Sequence, residues 1–318
     1  MKSGIYPEER KILLDNYAMS NFRTCPRKFK FRIHERLVPG GDMFAIPVPE
    51  GVTPEPQPTP PELLFGIAIH KAMDELWIGH GLDAAKGAFL DRFQPVPEDR
   101  KRTPLRGQEL IEDYAERWAW ELNQIETCQN EIKFSQKIGE IEIKNMKTTP
   151  TYGKDIWEVY GGGVIDKLFT LKGRDDLFYV CDHKTSSWES ESLIPSFNIH
   201  SQFMGYVAGA AAFIPDSCEC STCVADILCI YPKNNKFYRS EILFTYDILD
   251  EWRENILQTA RMIMDCYERD VWPMYGRDAC TGWNKLCPYF DICDASKNFR
   301  PQVITSLFTE SAWDIDAR

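Results

Sequence analysis

The stretch that decides the fold runs from residue 162 to residue 186 and reads GGVIDKLFTLKGRDDLFYVCDHKTS. Both ends of this stretch are rich in β-branched and aromatic residues, whereas residues 172–176, Lys-Gly-Arg-Asp-Asp, have the composition of a turn. The pattern therefore predicts a β-hairpin whose arms span residues 156–171 and 177–184.

The predicted register of this hairpin places charged side chains opposite one another. With a three-residue loop at 173–175, Asp166 lies directly across from Asp182, with Cβ atoms about 5 Å apart. Lys184 shares their face, because side chains two residues apart in a strand point the same way. Facing carboxylates repel, and Mg²⁺ or Mn²⁺ would compensate them. The hairpin thus predicts a metal-dependent phosphodiesterase, although an isolated Asp-x-Lys is more often only a solvated pair.

Two predicted helices flank the hairpin in sequence. Residues 62–78 carry apolar residues at helical spacing, with His70 near the middle. A lone histidine there is either a satisfied core residue or a metal ligand, since neutral imidazole binds divalent metals. Gln202 and Tyr206 lie one helical turn apart, where they either contact a nucleotide phosphate or base or are ordinary helix surface.

Together these motifs resemble the PD-(D/E)XK nuclease superfamily, and within it the RecB-like branch, which includes CRISPR-associated and phage-encoded iron-sulfur exonucleases. The likeness covers residues 17–295 as scattered motifs in the expected order: Gly66-x-x-x-His70, Gly163-Val164-Ile165-Asp166, Asp182-x-Lys184 and Gln202-x-x-x-Tyr206. One departure is Asp rather than the commoner Glu at position 182. The resemblance implies catalytic residues Asp166, Asp182, Lys184, Gln202 and Tyr206, and it implies Mg²⁺ or Mn²⁺ ligands His70, Asp166 and Asp182.

The implied fold is α/β, a restriction-endonuclease-like mixed β-sheet core flanked by helices. We expect residues 1–295 to form one nuclease domain and residues 296–318 to form a C-terminal tail. Residues 46–61 are proline-rich and predict an exposed extended loop. The other predicted elements are a helical insertion at 82–127 with helices at 82–94 and 105–127, strands at 131–145 and within 224–245, and a helix at 246–270.

Cysteine usage is the second strong signal. The chain has 11 cysteines in 318 residues, and it shows neither a signal peptide nor an apolar run of about 18 residues, which favours a reducing cytoplasm. Metal binding then explains cysteine clusters better than disulfides. Cys280, Cys287 and Cys293 lie close together in sequence, and their spacing suits either zinc or an iron-sulfur cluster. In the iron-sulfur branch that the chain resembles, such a trio and an N-terminal Cys-Pro hold a [4Fe-4S] cluster, which implies the ligands Cys25, Cys280, Cys287 and Cys293 and a junction between the N- and C-terminal segments.

A second cysteine group, Cys218, Cys220 and Cys223, follows the Gln202 helix. It predicts either loop thiols in a reducing compartment or ligands of a metal. The resemblance gives no reason to expect a metal there.

The overall charge argues against broad electrostatic binding of DNA. The chain has 37 Lys and Arg against 48 Asp and Glu, for a net charge of −11. The segment 21–36 is nevertheless basic and contains three phenylalanines, Phe22, Phe29 and Phe31. It is either a path for single-stranded nucleic acid, in which bases stack on the rings, or a solvated basic helix whose rings enter the core. The first alternative makes DNA-binding residues of Arg23, Arg27, Lys28, Lys30 and Arg32.

The sequence therefore predicts a cytoplasmic Mg²⁺- or Mn²⁺-dependent deoxyribonuclease, of a bacterium or a phage-infected host, that digests single-stranded or linear DNA from its ends without contacting a membrane. The resemblance implies a role in phage recombination or CRISPR spacer processing. Two alternatives remain: a catalytically idle DNA-binding protein of the same fold, and a zinc-stabilised interaction protein.

Overall fold

The computed structural model describes residues 1–40, 59–97, 99–144, 154–186, 194–231, 234–282 and 285–314. Almost all of the predicted proline-rich loop at 46–61 lies outside them. The chain divides into two compact units, where the sequence leads us to expect one domain. The first unit comprises residues 1–58, 135–162 and 253–317, and the second comprises residues 59–134 and 163–252. The long strands β4 (Ile125–Lys144) and β5 (Lys154–Leu171) supply residues to both.

The first unit contains three small groups of paired strands. Strand β1 (Gly4–Tyr6) is antiparallel to β2 (Lys11–Leu14), which runs parallel to the first part of β5. The other two antiparallel pairs are β3 (Leu37–Pro39) with β11 (Phe308–Glu310) and β9 (Thr281–Gly282) with β10 (Lys285–Leu286).

The helices of the first unit begin with α1 (Asn16–Thr24), whose N-terminus is capped because the Asp15 carboxylate accepts the Ala18 N–H at 2.8 Å. A 3₁₀ turn at Pro7–Glu9 and a π-helical turn at Lys30–His34 lie on either side of α1 and α2 (Pro26–Phe29). The unit also contains most of α9 (Tyr246–Arg269), α10 (Arg277–Cys280), α11 (Phe290–Asp294) and α12 (Arg300–Leu307).

The segment that we expected to be a tail, residues 296–318, is structured as far as residue 314. It forms α12 and β11, and β11 pairs with β3. Phe308 is 6 % exposed and packs with a small apolar cluster of Phe31, Leu37, Tyr289 and Ile292. Among residues 296–314, Phe308 is the only buried side chain and the others are half-buried or exposed, so the sequence pattern of this segment gave little sign of packing.

The second unit is a mixed sheet with helices. The second part of β5 is antiparallel to β6 (Arg174–Ser186), β6 is parallel to β7 (Glu219–Cys229), and β7 is antiparallel to β8 (Lys236–Leu243). The parallel pair needs a crossover, which α7 (Ile194–Phe197) and α8 (Ser201–Ala210) provide. The remaining helices are α3 (Pro61–Trp77), α4 (Leu82–Arg92), α5 (Pro104–Arg117) and α6 (Ala119–Leu122). The predicted α/β class, a mixed sheet flanked by helices, is confirmed.

Two predicted boundaries in the second unit were wrong. The helix predicted at 105–127 ends at Leu122, and β4 begins at Ile125 instead of residue 131. The early start of β4 is stabilised by contacts with β5, since the hydroxyls of Thr127 on β4 and Thr170 on β5 lie 2.8 Å apart. The cysteines at 220 and 223 lie in β7 and not in a loop. Across the ranges described above, no helix is both long and apolar enough to cross a membrane.

The contact between α4 and α5 depends on a glycine. A Cβ atom added at Gly107 of α5 would overlap the ring of Phe89 in α4, and Phe89 is fully buried. Gly87, also in the interior of α4, has no atom within 4 Å of the same position. Two helical glycines of the same unit thus differ in the space around them.

Substitution at these two glycines tests the packing. We expect Gly107→Ala to lower the free energy of unfolding by about 1–3 kcal/mol, because the methyl group must displace the Phe89 ring. Gly87→Ala, the matched control, should raise it by up to about 1 kcal/mol, since alanine favours a helix. Urea denaturation followed by circular dichroism measures both, and equal effects of the two substitutions would contradict the packing described.

Candidate functional site

The β5–β6 hairpin has the register that the sequence predicts. Lys167 lies opposite Cys181, and the same offset continues along the arms towards the turn. One further step of this offset places Asp166 opposite Asp182. The two carboxylates therefore lie on neighbouring strands at the same level of the sheet.

The turn of this hairpin differs from the prediction. Leu171 pairs with Arg174, so the turn consists of Lys172 and Gly173 and not of the three residues expected. Gly173 has φ 75°, a conformation that glycine adopts without strain. A register shift between Thr170 and Leu171 compensates for the shorter turn. The loop prediction was wrong, and the bulge preserves the register at Asp166.

Asp166 is a buried, fully engaged carboxylate. It is 1 % exposed, and its Oδ2 accepts the backbone N–H of His183 at 3.1 Å. The same oxygen lies 3.2 Å from Nδ1 of His70 on α3. Burial opposes ionisation, but the charges of His70, Lys184 and Lys167 outweigh it and hold the pKa of Asp166 below its usual value. These charges favour the ionised form of Asp166.

Asp182 is also fully buried, but its charge is less well compensated. The Nζ of Lys184 lies 3.0 Å from its Oδ1 and 2.7 Å from its Oδ2. Burial raises the pKa of Asp182, and the charge of Asp166 adds to this effect, which Lys184 offsets only in part. A cation placed beside the two carboxylates would relieve this shortage of positive charge.

Helix α8 holds the lysine of this site. Nζ of Lys184 donates to Oε1 of Gln202 at 3.1 Å, and Nε2 of Gln202 donates to the Tyr206 hydroxyl at 2.7 Å. Both ends of the Gln202 amide thus have partners within the protein, and Tyr206 is only 3 % exposed. This geometry gives the Gln-x-x-x-Tyr pair a role in positioning Lys184, which the sequence alone did not indicate.

A close approach between α3 and β6 sets the position of His70. A Cβ atom at Gly66 would lie 3.1 Å from Oγ1 of Thr185, which is tighter than an ordinary van der Waals contact. His70 follows Gly66 by about one helical turn, on the same face of α3. The Gly-x-x-x-His spacing therefore has a packing reason, and His70 is a contact of Asp166 and not an isolated core residue.

The other face of β6 carries a buried polar network that the sequence analysis missed. Oδ2 of Asp226 accepts hydrogen bonds from the Tyr114 hydroxyl at 2.6 Å and from Arg239 at 2.7 Å. Nε1 of Trp77 donates to the Tyr114 hydroxyl at 3.0 Å. An aspartate inside the apolar run of β7 was the available signal, because a fully buried carboxylate needs partners of this kind.

The described residues contain one set of three possible metal ligands within 4.8 Å of one another: Cys181, His183 and Asp226. The ligands predicted from sequence are not in it. Burial raises the pKa of the Cys181 thiol and lowers that of the His183 imidazole, so both groups are neutral. Arg239 already compensates Asp226. We therefore interpret this set as a hydrogen-bonded packing network.

The four cysteines singled out in the sequence all lie in the first unit. Cys25 joins α1 to α2 and is 7 % exposed, with Sγ 3.8 Å from the Pro273 carbonyl oxygen. The N–H of Cys287 donates to the carbonyl oxygen of Cys280 at 2.7 Å. Burial raises the pKa of Cys293 in α11, and the charges of Cys25 and Cys280 raise it further. Of these contacts, the one between Cys280 and Cys287 joins two of the four residues directly.

Two of the predicted DNA-binding residues lie beside these thiols. Burial raises the pKa of Cys287, whereas the charge of Lys28 lowers it. Arg27 acts on Cys293 in the same direction, through a hydrogen bond as well as its charge. A group of thiolates would find compensating cations here.

The basic segment does not offer aromatic rings to bases. Phe22, Phe29 and Phe31 are 2 %, 0 % and 6 % exposed, so the interpretation in which bases stack on them was wrong. The hydrophobic effect favours the core position, and the sequence pattern alone could not separate the two alternatives. Other cations of this segment have protein partners: Arg23 contacts Thr259, Lys30 contacts Glu35 and Asp270, and Arg32 donates to the Ser311 carbonyl oxygen. Their role in binding DNA stays a prediction.

Two solved structures are similar to this chain at low identity. The protein SSO0001 is 12 % identical, with a TM-score of 0.31, over 81 % of this chain and 76 % of that one. A protein of Eubacterium rectale that is provisionally named an exonuclease is 11 % identical, with a TM-score of 0.44, over 89 % of this chain and 94 % of that one. No curated protein matches the chain by sequence.

A family model provides the decisive comparison. The model of the PD-(D/E)XK nuclease superfamily matches residues 17–294, a range that contains the hairpin carboxylates, Lys184, His70 and the Gln202 helix. The match spans most of the 318 residues. The chain belongs to the PD-(D/E)XK nuclease superfamily.

Proposed function

We propose that this protein is a deoxyribonuclease that requires Mg²⁺ or Mn²⁺ and digests single-stranded or linear DNA from its ends. The observation that carries the proposal is the pair of buried carboxylates, Asp166 and Asp182, on neighbouring strands with Lys184 beside the second. Membership of a nuclease superfamily supports it.

Asp166, Asp182 and His70 would hold the metal ion. Carboxylate oxygens suit Mg²⁺ and Mn²⁺, and a neutral imidazole suits Mn²⁺ in addition. The raised pKa of Asp182 supports this assignment, because burial and a neighbouring anion leave that carboxylate short of positive charge. When bound, such an ion supplies Lewis-acid chemistry: it polarises the phosphate and makes water a stronger nucleophile at neutral pH.

The residues of the chain itself supply position and charge. Gln202 and Asp182 hold the Lys184 ammonium in one place through two of its N–H groups. Its third N–H can donate a hydrogen bond to a water molecule or to a phosphate oxygen. Negative charge builds up on the phosphate during hydrolysis, and a fixed cation stabilises it. Asp166 and His70 orient one another. This set of groups favours cleavage over the idle DNA-binding alternative.

The preference for DNA ends follows from the charge and the resemblance. A net charge of −11 does not favour broad contact with duplex DNA. A strand end that enters a small site needs few phosphate contacts. A role in phage recombination or CRISPR spacer processing is supported by the resemblance alone.

We further propose that Cys25, Cys280, Cys287 and Cys293 hold a [4Fe-4S] cluster. The backbone contact between Cys287 and Cys280 supports this, and so do Lys28 and Arg27, whose charges lower the pKa of Cys287 and Cys293, since four thiolates leave the cluster with net negative charge. Cys25 and Cys280 are 280 − 25 = 255 residues apart. Closing so long a loop removes much entropy from the unfolded chain, so the cluster would stabilise the first unit.

Removal of the lysine tests the catalytic assignment. We expect Lys184→Ala to reduce the cleavage of end-labelled single-stranded DNA by about 100- to 1000-fold, because the fixed cation is lost. Lys172→Ala, at the exposed turn of the same hairpin, is the matched control and should cleave like the wild type. Undiminished cleavage by folded Lys184→Ala would refute the assignment.

Removal of the second carboxylate tests metal binding without an activity assay. Mn²⁺ at about 100 times its dissociation constant should stabilise the wild type by about 2.7 kcal/mol. In Asp182→Asn we expect most of this gain to disappear, since a ligand is missing. Asp176→Asn, exposed at the start of β6, should keep the gain. Thermal denaturation with and without Mn²⁺ measures all three proteins, and equal stabilisation of all three would contradict metal binding at Asp182.

Metal analysis tests the cluster. We expect wild-type protein purified without oxygen to be coloured and to contain iron and acid-labile sulfide, and Cys287→Ser to lack both and to be poorly soluble. Cys218→Ser, in the second unit, should retain them. Zinc in place of iron, or a colourless wild type that cleaves DNA normally, would overturn the iron-sulfur assignment.

A further inference from the structure

Lys167 is a buried lysine that the proposed chemistry does not use. It is fully buried, and its Nζ donates to Oδ1 of Asp74 on α3 and, at 3.2 Å, to the carbonyl oxygen of Asp166. A buried ammonium is costly unless it is paired and hydrogen-bonded. The pairing with Asp74 therefore fixes which part of α3 lies against this point of β5.

The two residues of this pair are neighbours of two site residues. Asp74 follows His70 by one turn of α3, so both side chains lie on one face of the helix. Lys167 follows Asp166 in β5, so these two side chains leave opposite faces of the strand. Helix α3 thus contacts two successive residues of β5, through His70 on Asp166 and through Asp74 on Lys167. A rotation or slide of the helix that breaks one contact disturbs the other.

Asp74 is itself held by further contacts. Its Oδ2 lies 3.1 Å from Nζ of Lys71, and its backbone oxygen accepts a hydrogen bond from Nδ2 of Asn130 on β4 at 3.1 Å. Glu131, the next residue of β4, lies 3.6 Å from Lys71 and has a left-handed backbone with φ 53°. Non-glycine residues adopt this conformation only where the surroundings enforce it. Through Asp74 and Lys71, helix α3 therefore contacts β4 as well as β5.

We propose that Asp74 and Lys167 are positioning residues: their ion pair fixes α3 so that His70 stays at Asp166 in the geometry that binds the metal ion. Neither residue touches the substrate. The inference rests on the proposed function, because it assigns the pair to the metal site of that reaction. Partners that orient metal ligands typically contribute about 10- to 100-fold to metal affinity.

The test measures Mn²⁺ binding by isothermal titration calorimetry on full-length protein purified without oxygen. Folding of each variant is verified by circular dichroism at the temperature used. We expect Asp74→Asn to raise the Mn²⁺ dissociation constant about 10- to 100-fold. The matched control is Asp99→Asn, which removes a carboxylate from the Asp99–Arg102 ion pair of the same unit and should bind Mn²⁺ like the wild type.

A double variant separates positioning from folding. Asp74→Leu combined with Lys167→Met removes both charges of this pair, and apolar replacement of both partners of a buried pair often preserves stability. We expect this protein to fold and still to bind Mn²⁺ about 10- to 100-fold more weakly, because the ion pair no longer fixes the position of His70 on the helix. A purely structural pair would give wild-type affinity here.

The outcomes distinguish this inference from the proposed function. Wild-type affinity in folded Asp74→Asn or in the folded double variant overturns the positioning role and leaves the nuclease assignment intact. Failure of both variants to fold also overturns it, because the pair is then a requirement of folding. A wild type that neither binds Mn²⁺ nor cleaves DNA overturns the proposed function, and the positioning role with it.

Discussion

Two carboxylates buried on neighbouring strands are the constraint on which the rest of the second unit depends. Asp166 and Asp182 are 1 % and 0 % exposed. Like charges at facing positions of neighbouring strands destabilise a sheet unless cations or hydrogen-bond donors surround them. His70 and the backbone N–H of His183 contact Asp166, and Lys184 forms an ion pair with Asp182. Helix α3 supplies His70 to this arrangement, and α8 supplies Gln202, which contacts Lys184.

The surrounding packing fixes the positions of these charged groups. Gly66 allows α3 to approach β6, and the buried ion pair of Asp74 and Lys167 connects the same helix to β5. Gln202 restricts Lys184 from the α8 side. Since buried charges add little net stability, their concentration here is better explained by function than by folding. In the first unit, the half-buried Arg27 and Lys28 lower the pKa of Cys293 and Cys287, against the effect of burial.

The hairpin register and the α/β class were predictable because both follow from local periodicity and composition. The turn was not, since a two-residue turn with a bulge gives the same register at Asp166 as a longer loop without one. The phenylalanines near residue 29 and the partners of Asp226 depend on contacts distant in sequence, which no local pattern specifies. Asp74 was within reach of sequence reasoning, because it lies one helical turn after His70. Its buried partner, Lys167, was harder to single out, because the neighbouring Asp166 already accounts for the charge in that part of the strand.

The central claim is that the carboxylates at 166 and 182 share one divalent cation. Anomalous X-ray diffraction from crystals soaked in Mn²⁺ locates the ion directly. The account predicts one strong anomalous peak within coordination distance of Asp166, Asp182 and His70. A peak beside Cys181, His183 and Asp226 instead, or no peak at the hairpin in crystals that diffract well, would contradict it.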